Sequence, residues 1–431
     1  MARTMADMTA TVTKQPAGPG RAPRTTYRSV FAVREFRALF AALLMYVLGF
    51  EFEILGLSVL VFARTRSPFL TALTFGAGFA PQALGGALFS SLADRLPSRL
   101  VIGAGLLARG GPGLVIGLFP GLPFAAMLTL VGAAATAAPV FTAAISGRLS
   151  DVLHGDRYVL GRSVFNLTGS GTQILGLGVG GAILAAVPAR WLLLAAGGSL
   201  AVAAAVSRAG LRPRGARAGL RPAGGRGRGV VRSTLAGNIE LFSDRTVRGL
   251  LLAQWLPAWL VTAAESLIVP YTASLGRPAS AAGPLLAAVP AGMLLGDVVA
   301  GRFFPPPLRR RLAFPLVAAM GVPLLTLTFG PPPLPAGLAL LACGAGFAYL
   351  LGLQQAFLDS LPEPRRGQGF ALNSTGAMGG QGLAPLAAGA LAGVLGPGAA
   401  MAMAGAAIVL AALALRGHLT GSATGPGTLR R

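Results

Sequence analysis

Twelve stretches of mostly uncharged residues follow one another along the chain, separated by short polar connections. Each has roughly 17–25 residues, enough to cross a hydrocarbon core of about 30 Å as a helix. The predicted spans are Arg37–Phe62, Phe69–Phe89, Leu100–Phe119, Leu122–Ile145, Leu160–Val187, Trp191–Val206, Leu250–Tyr271, Ala279–Ala300, Leu312–Phe329, Leu334–Phe357, Phe370–Leu395 and Ala399–Leu415. The shortest is Trp191–Val206.

Charge is divided unevenly between the connections. The odd-numbered ones carry only Arg64, Arg66, Arg190 and Arg277, whereas the termini and the even-numbered connections hold nearly all the other basic residues. By the positive-inside rule both termini are expected in the cytoplasm. An even number of spans requires the termini on one side, so count and charge agree. The reading divides the chain into a tail with an interfacial segment (1–35), a six-helix half (36–207), a basic cytoplasmic linker (208–247), a second six-helix half (248–416) and a tail (417–431). The first 25 residues hold Arg3, Lys14, Arg21 and Arg24 but no apolar core of the signal-peptide type, so the first span is expected to serve as targeting signal. Beside that span, Tyr27, Phe31 and Phe36 with Arg28, Arg34 and Arg37 form either an interfacial helix, aromatics in lipid and charges in water, or a simple flanking anchor.

Composition narrows the function. With 54% hydrophobic and 11% charged residues in 431, no soluble catalytic domain has room to exist. The net charge of +23 does not point to nucleic acid: the arginines are split among separate loops, and no aromatic lies between Trp191 and Phe242 to stack bases. Anionic lipid headgroups are the expected electrostatic partner. The only lysine, Lys14, lies in TVTKQP, so no Gly-Lys-Ser/Thr phosphate loop exists and direct use of ATP through one is excluded. His154 and His418 lie in or beside cytoplasmic segments and Cys343 is the sole cysteine, so neither an intramembrane Ser-His dyad nor a histidine or cysteine metal cluster can be built. An enzyme is therefore not expected, nor a cofactor or metal, and the chain is expected to act as a monomer. One lysine beside 35 arginines, with abundant Ala, Gly and Pro, reads as GC-rich bacterial coding and places the protein in a bacterial cytoplasmic membrane.

The two halves repeat. VREFRALF (Val33–Phe40) and SDRTVRGLLL (Ser243–Leu252) open equivalent segments, each followed by an apolar span with acidic residues two-thirds along and then by TRSP (Thr65–Pro68) or LGRP (Leu275–Pro278). Six spans per copy give both repeats the same orientation, as in parallel-repeat transporters. The opening span and hairpin, the loop SLADRLPSR (Ser91–Arg99), GTQILGLGVGG (Gly171–Gly181), AAESLIVPYTASLG (Ala263–Gly276) and GQGLAPLAAGALAG (Gly380–Gly393) together resemble the major facilitator superfamily, and within it bacterial multidrug-type efflux proteins. Ser90 stands where the loop signature usually has its first glycine, and Leu177 where the fifth-span motif usually has proline.

The resemblance implies an all-α membrane protein of twelve transmembrane helices in two six-helix repeats. It implies a secondary active transporter exporting amphipathic or hydrophobic small compounds in exchange for protons. An importer, a uniporter or a lipid flippase of the same fold stays open, as does a receptor or scaffold. It further implies that the first span of each half lines a central cavity. Glu51, Glu53 and Glu265 are then candidates for proton coupling, since a carboxyl at bilayer depth must line a cavity, pair or change protonation. Glu53 and Glu265 are nearly equivalent by position; both can instead be structural, bonded to neighbouring helices. Arg109 lies about 14 Å into the membrane and needs a partner, Glu51 or Glu53. Asp94, Arg95 and Arg99 match the charged positions of a cytoplasmic gating latch. Gly169, Gly176, Gly180 and Gly181 allow close helix approach, and Tyr46, Asn166, Gln173, Gln254, Asn373 and Gln381 either contact substrate or bridge helices.

Overall fold

The computed structural model describes residues 26–89, 96–119, 121–213 and 227–420, and their regular structure is helical. In chain order the spans are α1 (Arg34–Thr65), α2 (Pro68–Ala77 and Ala80–Phe89), α3 (Ser98–Leu118), α4 (Phe124–Val152), α5 (Asp156–Ala186) and α6 (Ala189–Gly210) in one half. The other half holds α7 (Arg245–Glu265 and Ile268–Ser274), α8 (Ala282–Phe303), α9 (Pro306–Leu325), α10 (Pro333–Ala345 and Tyr349–Ser360, joined by a 3-10 turn at Gly346–Ala348), α11 (Arg366–Leu395) and α12 (Pro397–Ala414).

Eleven of these are long and apolar enough to cross a membrane as they stand, against the twelve expected. The exception is α2, which covers the predicted stretch but breaks at Gly78 and Phe79. Pro81 explains the break, because it has no N–H to return to the carbonyl four residues back. The predicted span Trp191–Val206 extends on both sides to the 22 residues of α6.

Local chemistry sets the turns. Arg66 ends α1 in the left-handed region, at φ 51°, and Ser67 caps α2 by accepting from the Leu70 N–H at 3.2 Å, with Pro68 in the first helical position. The repeat-related turn places Gly276 at φ 69° ahead of Pro278. At the start of α7 the Asp244 carboxylate accepts from the N–H groups of Thr246 and Val247 at 2.8 and 2.9 Å.

The packing repeats with the sequence. In the first half α6 packs on α1 and α3, α5 on α1, and α4 on α2 and α3; in the second, α12 packs on α7 and α9, α11 on α7, and α10 on α8 and α9. The halves meet through α2 against α11 and α5 against α8. These junctions are built on small residues. A Cβ on Gly283 would lie 2.5 Å from Gly181 Cα, and one on Gly389 would lie 2.8 Å from Phe69 Cα. Gly76 and Ala80 meet Gly382 in the same way. The contacts run from mid-helix to the end of the bundle remote from where α1 begins and α12 finishes. That remote end is called the far end below, and the other the terminus end.

Two segments differ from expectation. Phe36 is fully buried against Phe31, Phe40 and Phe165, with ring centroids 5.1, 6.3 and 5.6 Å away, so it faces protein rather than lipid. Part of the linker, Gly227–Ser243, is a helix docked on α7 and α11. The Gln368 amide donates to Asn238 at 2.9 Å, Arg365 pairs with Glu240 at 2.6 Å, and Phe242 stacks on Trp255 at 6.0 Å.

Candidate functional site

The long uninterrupted α1 carries two acidic residues past its middle, and the 100° step per residue sends them to different neighbours. Glu53 turns toward α3, where its carboxylate lies 3.3 Å from Arg109 Nη1; the two side chains are 2% and 3% exposed. The Arg109 guanidinium also lies over the Phe50 ring at 4.8 Å. Tyr46, one and two turns earlier on α1, is within electrostatic range of both members of the pair and packs on Phe141 at 4.6 Å. Of the two partners open to Arg109, Glu53 is the one in contact.

Glu51 turns toward α5. Gly176 makes room for it, since a Cβ there would lie 3.0 Å from Glu51 Cβ. Glu51 is 4% exposed and forms no ion pair or hydrogen bond among the described residues. It lies within electrostatic range of Glu265, the last residue of the first segment of α7 and part of the other half, and of Arg109. Cys343 on α10 lies within range of Glu265 as well. Of the acidic residues on α1, Glu53 is thus the one that pairs with Arg109, and Glu51 is not.

The other predicted positions separate into three groups. Gln254 and Asn373 are used up between helices: Asn373 Nδ2 donates to Gln254 Oε1 at 3.1 Å, and the Trp255 indole N–H donates to the Asn373 carbonyl and side-chain oxygens at 2.9 Å. Gln173 and Gln381 are part-exposed and make no hydrogen bond among the described residues. Asn166 lies on α5, with its side chain outside the described residues, as are Asp94 and Arg95. Arg99 opens α3 and donates to the Arg208 carbonyl at the end of α6. Among the glycines, Gly180 backs onto Leu55 and Gly181 onto Gly283, whereas a Cβ on Gly169 would meet nothing within 4 Å. Gly169 is thus not part of the close contact expected of it.

Two features were not anticipated. Trp255 and Trp259 stack at 5.7 Å along α7, seated on Gly376 and Gly380 of α11, and the Trp259 N–H donates to the Gly376 carbonyl at 3.2 Å. The spacing of those two glycines by four, one helical turn, was the readable signal. At the terminus end, Arg148 on α4 is 1% exposed and bonds Glu35 and the Arg212 carbonyl, both at 2.8 Å. Both residues sit at span ends, where charge is ordinary, so nothing in the sequence marks them as buried. His418, just beyond α12, packs against Gly249; partial burial, with Arg245 nearby, holds its imidazole below the usual range.

A multi-pass helical bundle in two like halves, with acidic side chains buried inside its spans, has the build of a membrane transporter. The Major Facilitator Superfamily profile matches residues 36–363, and the chain belongs to that superfamily. Its fold is similar to that of a bacterial homologue of the human lysosomal transporter Spinster in an inward-facing, unoccupied conformation (TM-score 0.65, 17% identity, 91% of this chain and 99% of that one). It is also similar to the nucleoside transporter NupG (TM-score 0.70, 12% identity, 89% and 98%) and the human organic anion transporter MFSD10 (TM-score 0.61, 15% identity, 89% and 99%). No curated protein gives a significant sequence match.

Proposed function

We propose that the chain is a proton-coupled exporter of amphipathic or hydrophobic small organic compounds, working by alternating access in a bacterial cytoplasmic membrane. The observation that carries this reading is the burial of Glu51 in one half, with no ion pair or hydrogen bond among the described residues, within electrostatic range of Glu265 in the other. Two carboxylates within range of each other in a low-dielectric centre repel, and taking up a proton removes the repulsion. A proton bound there in one state and released in the other ties its passage to the movement of the halves. Asp94, Arg95 and Arg99 would form the latch at the terminus end. Few charged side chains lie deep inside the spans, and the basic one there, Arg109, is held by Glu53. That inventory suits amphipathic cargo better than a polyanion.

In proteoliposomes with an imposed pH gradient, Glu265→Gln should abolish uphill export while substrate binding persists. Glutamine keeps the shape and most hydrogen bonding but cannot titrate. Full uphill transport by this variant would remove Glu265 as coupling group, and equal transport by the parent protein with no gradient would make it a uniporter.

A further inference from the structure

The helices α3 and α6 pack closely through their middles. A Cβ on Gly110 would lie 3.0 Å from the Gly197 carbonyl oxygen and one on Gly113 2.8 Å from that of Leu193. Toward the terminus end a Cβ on Gly103 would meet nothing within 4 Å. A groove of about 720 Å³ lies there between the two helices. Its body is apolar, formed by Gly103 and Leu107 on one side and Ala201 and Ala205 on the other, and Arg99 and Arg208 stand at its terminus end. The Arg99 guanidinium is steadied by the Arg208 carbonyl while its Nε is buried without a partner among the described residues, and the Arg208 side chain is exposed.

The groove lies on the outside of the bundle. Neither α3 nor α6 contributes to the α2–α11 and α5–α8 junctions between the halves, so its mouth opens to the surrounding bilayer and not to the central site. Arginines at a helix end reach the headgroup level, where phosphate is the available anion. An apolar channel several residues long, ending in two guanidinium groups at that level, matches an amphiphile with one negative head in both charge and polarity.

We propose that this groove holds one anionic glycerophospholipid, its phosphate between Arg99 and Arg208 and one acyl chain along Gly103, Leu107, Ala201 and Ala205. The site requires only that the bundle sit in lipid and does not rest on the proposed transport reaction, although it shares Arg99 with the proposed latch. The test is native mass spectrometry of the delipidated full chain titrated with phosphatidylglycerol, with phosphatidylcholine and with inorganic phosphate. One phosphatidylglycerol should be retained at concentrations where phosphatidylcholine is not. Arg208→Gln should weaken its binding about tenfold, the loss expected of one charge-assisted hydrogen bond. Gly103→Phe, which fills open space and leaves helix packing alone, should displace the lipid while the protein elutes as a single species. Arg302→Gln, in the other half, should bind like the parent. Equal retention of both lipids, parental phosphatidylglycerol binding by both Arg208→Gln and Gly103→Phe, or equally effective competition by inorganic phosphate would each overturn the site.

Discussion

Glu53 and Arg109 hold each other in a place where neither can stand alone. A buried pair is worth little against an apolar pair of the same shape, but removing one partner strands a charge and costs about 3–5 kcal/mol. Arg109→Met should therefore lower the unfolding midpoint of the detergent-purified protein sharply, and Glu53→Gln with Arg109→Met should recover most of the loss. If the double variant unfolds as early as the single one, the pair is not what stabilises this region. Glu51→Gln should behave differently, leaving the midpoint near the parent value while impairing uphill transport, because among the described residues its carboxyl has no ion-pair partner to strand. The acidic residues and the arginine were legible in the sequence because charge at bilayer depth stands out. Which acid meets the arginine was not, because a shift of one or two residues in aligning the repeats turns a helix by 100–200° and exchanges the faces.

The turns show the same repeat solved by different residues. Where the second half uses Gly276 in the left-handed region, the first uses Arg66, a residue for which that conformation costs about 1–2 kcal/mol. Arg66→Gly should accordingly stabilise the protein by roughly 1 kcal/mol, while Gly276→Ala should destabilise it by a similar amount, both read from denaturant midpoints. A destabilised Arg66→Gly variant would mean that the arginine side chain earns its place through a contact such as lipid phosphate. The hairpin motifs TRSP and LGRP thus announced two turns correctly. The break in α2 was less visible, since apolar content is blind to the single lost hydrogen bond at Pro81. The helix Gly227–Ser243 was hidden for another reason: its flanking arginine and glycine run reads as linker, while the tertiary bonds from Asn238, Glu240 and Phe242 that hold it in place have no local signature.

At the scale of the molecule, the expected orientation rests on charge. With Cys343 replaced by serine, a cysteine at Ala223 should react with an impermeant thiol reagent only from the cytoplasm and one at Gly121 only from outside; reversed labelling at both would invert the topology. In that orientation the far end, where Gly181 meets Gly283 and Gly389 meets Phe69, is the outer one and is closed. There the glycines let backbone approach backbone, while Phe75, Leu177 and Leu285 belong to one buried apolar cluster that spans the two halves. Parting the far end therefore exposes apolar surface, at about 25 cal/mol per Å², a penalty that closure of the other end must offset. A shift of one pKa unit in a single carboxyl, about 1.4 kcal/mol, changes the ratio of two states tenfold. On the proposed coupling, one such shift would offset about 55 Å² of newly exposed apolar surface.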